Sequence, residues 1–128
     1  MLFILYAEKK NLVKRVVPVV IQILAADDIG NAAADQLQLD VFGEVLDAMH
    51  QGRVGGLQSL AEAWDFQRVL VSHLEEVWPS ADEGIWEVRG GRQHFTYSKI
   101  MAWVAFDRAV KMVEHFGLPG PVARWREL

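Results

Sequence analysis

Between residues 35 and about 51 the chain carries two apolar stripes at helical spacing. Leu37, Val41, Val45 and Ala48 make one, and Leu39, Phe42, Leu46 and Met49 make the other. A helix with one stripe can lie on a surface. A helix with two touches neighbours on more than one side, so this segment predicts a helix set among other elements. Its remaining face holds Gln36, Asp40, Glu44 and Asp47. Two readings of that face stand side by side, a solvated surface and the polar lining of a binding site. Gly52, Gly55 and Gly56 are expected to break the helix.

The rest of the chain repeats the helical texture. Residues 58–78 put Leu60, Trp64, Val71, Leu74 and Trp78 on one face, with Ala63, Phe66, Leu70, His73 and Val77 beside it, and Pro79 ends the run. His73, on this apolar face, is expected to be a core histidine. A third helix is expected over 98–116, with Gly117 as its C-terminal cap and Pro119 just beyond. Pro121 suits the first turn of a short last helix that Trp125 anchors. Between the second and third helices, residues 86–89 and 92–95 flank Gly90-Gly91, a pattern that predicts a small hairpin loop over 86–95. The fold class is all-α, with three long helices and a short C-terminal one. Residues 1–28 differ: they are rich in Val, Ile and Leu and interrupted by Pro18, which reads as extended or mixed structure.

Composition removes several function classes. A chain of 128 residues with 52% hydrophobic content suits one folded domain. A net charge of −4 without a basic stripe argues against nucleic acid as a partner. Cysteine is absent, which excludes disulfides and thiolate metal sites. The apolar N-terminus is broken by Glu8, Lys9, Lys10, Lys14 and Arg15, so no run approaches the roughly 18 residues a membrane span needs. It also reads poorly as a signal peptide, and a cytoplasmic location is the expectation. His50, His73, His94 and His115 are scattered rather than paired at ligand spacing. No Gly-rich phosphate loop and no nucleophile elbow around Ser72, Ser80 or Ser98 is present. No metal and no cofactor are expected.

The chemistry concentrates in residues 81–99, ADEGIWEVRGGRQHFTYSK. Trp78 and Trp86 flank Asp82, Glu83 and Glu87, and Arg89 and Arg92 bracket the Gly-Gly pair. Glycoside hydrolysis needs one carboxylic acid to protonate the leaving oxygen and a second carboxylate to activate water or to attack. An apolar wall keeps the acid protonated by disfavouring its charged form, and Trp86 with Ile85 is such a wall for Glu87. The competing reading is a surface Glu87 bridged to Arg89 or Arg92.

Three blocks decide between these readings. IGNAAADQLQLDVFGEVLDA, DEGIWEVRGGRQHFTYSK, and MAWVAFDRAV followed by FGLPGPVARW resemble, in order and spacing, segments of the glucoamylase and trehalase family, glycoside hydrolase family fifteen. The resemblance covers residues 29–128 and is closer to the bacterial, trehalase-like branch; fungal glucoamylases usually have Glu where Val88 stands. It implies inverting hydrolysis of α-glucosidic bonds in an (α/α)6 barrel, with Glu87 as general acid. It implies Trp86, Asp40, Gln36 and Arg89 on the substrate side, and an α-glucoside or trehalose-type sugar as ligand. Two departures matter. The family's upstream Trp-Arg-Asp motif has no counterpart in residues 1–28, and the family's general base lies beyond the equivalent of Leu128. The chain is therefore expected to be a partial barrel domain, residues 29–128, behind an unrelated segment, residues 1–28.

Further expectations follow. Missing neighbours would expose the stripes of the 35–51 helix and favour self-association into a homo-oligomer. The alternative to an enzyme is a catalytically silent, truncated helical module acting as an oligomerising or interaction protein. Arg89 is expected to pair with Asp82 or Glu83, leaving Glu87 with a raised pKa.

Overall fold

The computed structural model describes residues 37–58, 61–84 and 90–128. Four helices are seen among them: α1, Asp40–Val54; α2, Ala61–Val77; α3, Thr96–Phe116; and α4, Val122–Arg126. The all-α architecture of three long helices and a short C-terminal one is the architecture observed. Residues 1–28, and with them the expected extended segment, lie outside the described residues.

The core follows from the apolar spacing. Leu39, Val45 and Leu46 come from α1 and the residue before it, Trp64, Leu70, Val71 and Leu74 from α2, and Ala102, Ala105, Phe106, Ala109 and Met112 from α3. α1 packs chiefly against α3. The small side chains of Ala102, Ala105 and Ala109 let the two helices approach closely, which makes α3 the central element. Burying this apolar surface contributes about 25 cal/mol per Å² removed from water.

α3 ends as its sequence predicts. Gly117 has a left-handed φ of 67°, and its N–H donates to the Val113 carbonyl at 3.0 Å. The chain then folds back over α2. Trp64 Nε1–H donates to the Pro119 carbonyl at 2.9 Å. Trp125, only 3% exposed, meets Trp64 edge to face with ring centroids 6.3 Å apart. A five-residue helix would not persist alone, and this aromatic contact is what fixes it. An ion pair between Arg124 and Glu75 at 2.6 Å joins the same two elements.

Several expectations need correction. α1 begins at Asp40 rather than 35, and it runs through Gly52 to Val54. Gly52 does not break it because Leu57 folds back over that position, its N–H donating to the Gly52 carbonyl at 3.0 Å. The two α1 stripes are covered, every member buried or half-buried. Exposed apolar side chains include Tyr97, Ile100 and Trp103 on α3, with Val54 at the end of α1 and Val69 on α2. His73 is exposed, since α2 turns Trp64, Gln67, Leu70, Val71 and Leu74 inward and His73 lies off that arc. The buried histidine is His50, at 8% exposure. Among the described residues no helix is long and apolar enough to cross a membrane.

Candidate functional site

The link between α2 and α3 is closed at its base. Asp82 and Gln93 form an antiparallel bridge, with Asp82 N–H donating to the Gln93 carbonyl at 3.0 Å and Gln93 N–H returning to Asp82 at 2.9 Å. Residues 85–89, which include the whole first arm of the expected 86–95 hairpin, lie outside the described residues. Gly91, on the described side, has the positive φ (83°) that its place in a turn calls for. Lys99, near the start of α3, donates to the Ser80 carbonyl at 2.5 Å and to the Trp78 carbonyl, tying the end of α2 to α3.

The bridge rests on the N-terminal end of α1. The Leu39 N–H donates to Asp82 Oδ2 at 3.1 Å, and the Glu83 N–H donates to the Leu37 carbonyl at 2.9 Å. The first amides of a helix have no partner within it, so a carboxylate there satisfies a donor and faces the favourable end of the helix dipole. Asp82 is 0% exposed, and its Oδ1 has no hydrogen-bond partner among the described residues.

Asp40, the first residue of α1, is also buried, at 5% exposure. Burial pushes its carboxyl above the ordinary range. The backbone N–H groups of Asp40 and Val41 oppose the shift, and the negative charges of Asp82 and Glu44 add to it. Two acidic side chains thus lie within electrostatic reach of each other under the loop, one of them favouring its protonated form. Of the two readings of the α1 polar face, Asp40 fits the lining and not the solvated surface. Glu44, one turn on, is exposed and accepts the Tyr97 hydroxyl at 2.8 Å. That bond holds the Tyr97 phenol above its ordinary pKa. Asp47 lies further along and pairs with Arg108 at 2.6 Å.

Of the five residues singled out from sequence, Asp40 is in place beside the loop base. Glu87, Trp86, Gln36 and Arg89 lie outside the described residues. Glu83, one of the two partners expected for Arg89, is engaged by Arg92 Nε at 2.7 Å. Asp82, the other, accepts the Leu39 amide. Among the described residues no group of three or more His, Asp and Glu is placed to hold a metal ion.

Sequence reasoning missed two relationships. Asp82 reads from sequence as a partner for Arg89, because its observed partner is a backbone amide 43 residues upstream. The Tyr97–Glu44 bond spans 53 residues and has no local signature either.

Comparison with known proteins adds the family. The profile of glycosyl hydrolases family 15 matches residues 25–128. The chain is 38% identical over 101 residues to a trehalase of Thermoplasma volcanium, covering 78% of this chain and 16% of that protein. It is 39% identical over 100 residues to a trehalase of Mycobacterium tuberculosis, covering 78% of this chain and 15% of that one. To trehalase 1 of Sulfolobus acidocaldarius it is 38% identical over 87 residues, covering 66% of this chain and 16% of the relative. The chain thus spans 15–16% of the length of these curated relatives. No solved structure matches the chain.

Proposed function

The chain belongs to the glycosyl hydrolases of family 15, and from that premise we propose that it serves the hydrolysis of an α-glucosidic bond. The relatives named above are trehalases, which puts trehalose first among the substrates, ahead of maltose and short α-glucans. In this reading Glu87 is the general acid. Its proton passes to the glycosidic oxygen as the bond from that oxygen to the anomeric carbon breaks, and water adds to the carbon from the opposite face with inversion. Trp86 supplies the apolar wall that keeps the acid protonated. Asp40, Gln36 and Arg89 belong to the substrate side.

The observation that carries the reading is the mounting of the loop. The base of the segment bearing Trp86 and Glu87 is pinned by Asp82 and Glu83 to the start of α1, where Asp40 lies buried. A general acid works by position before it works by pKa, and a loop tied at its base to a helix end supports such positioning.

One observation favours a second reading for the chain taken by itself. The attacking water needs a base, a carboxylate about 6.5–9.5 Å from the acid. Asp82 and Asp40 are buried, and Glu44 is already engaged by Tyr97. With Asp82 and Asp40 out of water's reach and Glu44 exposed but bonded to the Tyr97 hydroxyl, none of these three is set up as that base, and on this reading the chain alone is a helical module that is silent in turnover.

Two measurements test this pair. Carboxyl-carbon NMR titration of Glu87 should place its midpoint above the model-peptide value of about 4.3; a midpoint at or below that value removes the acid role. Glucose release from trehalose or maltose is expected to be absent for the chain alone. Release that disappears in Glu87→Gln would replace the silent reading with an active one.

A further inference from the structure

We propose that His50 is a proton-operated latch at the C-terminal end of the α1–α3 contact. Neutral, it holds Phe116 and with it the last turn of α3; charged, it releases them while the rest of the contact stays closed. The inference stands apart from the reading of Glu87.

The two ends of the helix pair are held differently. Near the start of both helices, Gly43 lies directly against the Met101 carbonyl, a contact that leaves no room for a side chain. At the other end, two α1 side chains reach one α3 residue. His50 and Arg53 stand three residues apart and so share a face of α1. The His50 ring meets Phe116 edge to face with centroids 6.3 Å apart, and the Arg53 guanidinium lies 5.6 Å from the centre of the same phenyl ring. Phe116 is the last residue of α3 and is exposed on its outer side. Behind it the helix closes with the bond from the Gly117 N–H to the Val113 carbonyl. A helix end held in this way opens at lower cost than the packed middle.

The site has no place for a charge on His50. The side chain is buried, and neither ring nitrogen has a hydrogen-bond partner among the described residues, so the second N–H of an imidazolium meets no acceptor there. The charged groups that act on it come from both helices: Asp47 of α1, and Arg108, Lys111 and Asp107 of α3, with Arg53 facing it across Phe116. Both carboxylates are already engaged, Asp47 by Arg108 at 2.6 Å and Asp107 by Arg108 and by Lys111 at 2.8 Å. Three cations thus stand against two carboxylates before His50 gains a charge of its own. Burial holds the imidazole below its ordinary 6.5, and Arg108 and Lys111 act the same way. The two remaining titratable groups of the last turn, Glu114 and His115, are exposed, and Glu114 pairs with Arg126 of α4. A charged His50 is stabilised by reaching water, and Phe116, at a helix end, is the cover that can yield. Because the closed form disfavours the proton, opening grows as the pH falls through the ordinary imidazole value.

The test follows amide hydrogen exchange in the full chain from about pH 7.5 to about pH 5.5, each rate divided by its intrinsic value, a window that spans the ordinary imidazole pKa. The Gly117 amide reports the last turn, and the amides of residues 101–106 report the tight end. An imidazole of pKa 6.5 is about ten parts charged to one neutral at the lower pH, so protection at Gly117 should fall by up to about tenfold. Residues 101–106 should keep theirs. His50→Leu should abolish the response, and His115→Gln should leave it in place. The proposal is overturned by equal loss along the whole of α3, by no loss at Gly117, by a response that persists in His50→Leu, or by one that vanishes in His115→Gln. If His50→Leu does not fold, NMR titration of the natural chain decides. A His50 midpoint below 6.5, tracking the loss at Gly117, upholds the latch; a midpoint at or above 6.5, or one that does not track that loss, overturns it.

Discussion

Gly43 of α1 lies so close to α3 that a Cβ built on it would stand 2.2 Å from the Met101 carbonyl oxygen. The obstacle is backbone, so no rotamer change relieves it. Gly43→Ala gains about 1 kcal/mol of helix propensity, but it must push apart the two helices that share most of the core. We expect a net loss of about 1–3 kcal/mol, the usual cost of overpacking. Urea unfolding checks it, and a midpoint that rises would show that α1 and α3 are not in such contact.

Asp40 gives a prediction of opposite sign. Its folded pKa is raised, by burial first and by Asp82 and Glu44 after it. The stability linked to its proton is fully present below the ordinary aspartate value of 3.8 and is lost as the pH rises through the raised value. The charged form of this buried carboxyl is thus at a disadvantage in the folded chain. Asp40→Asn removes the titrating carboxyl and keeps the size. It should stabilise the chain at pH 7 by about 1 kcal/mol, and the gain should shrink toward pH 4. A variant less stable than the natural chain at pH 7 would mean that an unseen cation or donor serves Asp40.

How far the sequence alone reaches is clear from these two residues. Among the described residues, apolar spacing and helix-end signals located the three long helices, because both are local, and the short α4 was read from Pro121 and Trp125. Gly117 and Trp125 behave as their positions imply, since a cap and an anchoring aromatic are also local devices. The close approach at Gly43 was not legible, because it depends on which turn of α3 comes opposite. The exchange of roles between His73 and His50 has the same origin. His73 follows an apolar stripe in sequence yet lies off the arc that α2 buries, while Phe116 packs 6.3 Å from the ring of the enclosed His50. At the site, Asp40 was legible as a member of a polar face, but neither its burial nor the charge of Asp82, 42 residues away, that acts on it was. Glu87, proposed as the acid, was singled out by its Trp86 neighbour and the family resemblance, not by anything in spacing.

His50 predicts an acid-sensitive fold. Burial lowers its pKa from the ordinary 6.5, and the charges of Arg108 and Lys111 act in the same direction against Asp47 and Asp107. Phe116 closes the ring's edge, with Arg53 over the other side of that phenyl ring at 5.6 Å. Neither ring nitrogen has a hydrogen-bond partner among the described residues, so the neutral form is the one the site accepts. A depressed pKa contributes stability that is present above the unfolded value and is lost as the pH falls from there toward the folded one. Unfolding free energy should therefore drop between pH 7.5 and 5, beyond what the carboxylates explain. His50→Leu should flatten that part of the profile; an unchanged slope in the variant would assign the sensitivity to other groups.

Trp64 makes the last test, because it joins α2 to the C-terminal turn by two separable contacts. Its Nε1–H bonds the Pro119 carbonyl, and its ring meets Trp125 edge to face. Trp64→Phe removes the first and keeps most of the second. It leaves a part-buried carbonyl without its donor, at a cost of about 1–2 kcal/mol. Trp125→Leu removes the aromatic pair, and combining both variants isolates a coupling of about 0.5–1.5 kcal/mol for the ring contact. Hydrogen exchange should show the loss first at residues 118–126, because a helix of five residues depends on its tertiary contacts. If Trp64→Phe raises exchange equally across α1 and α3, the C-terminal turn is not a separate unit. Trp64 would then act through the core as a whole rather than through its bond to Pro119.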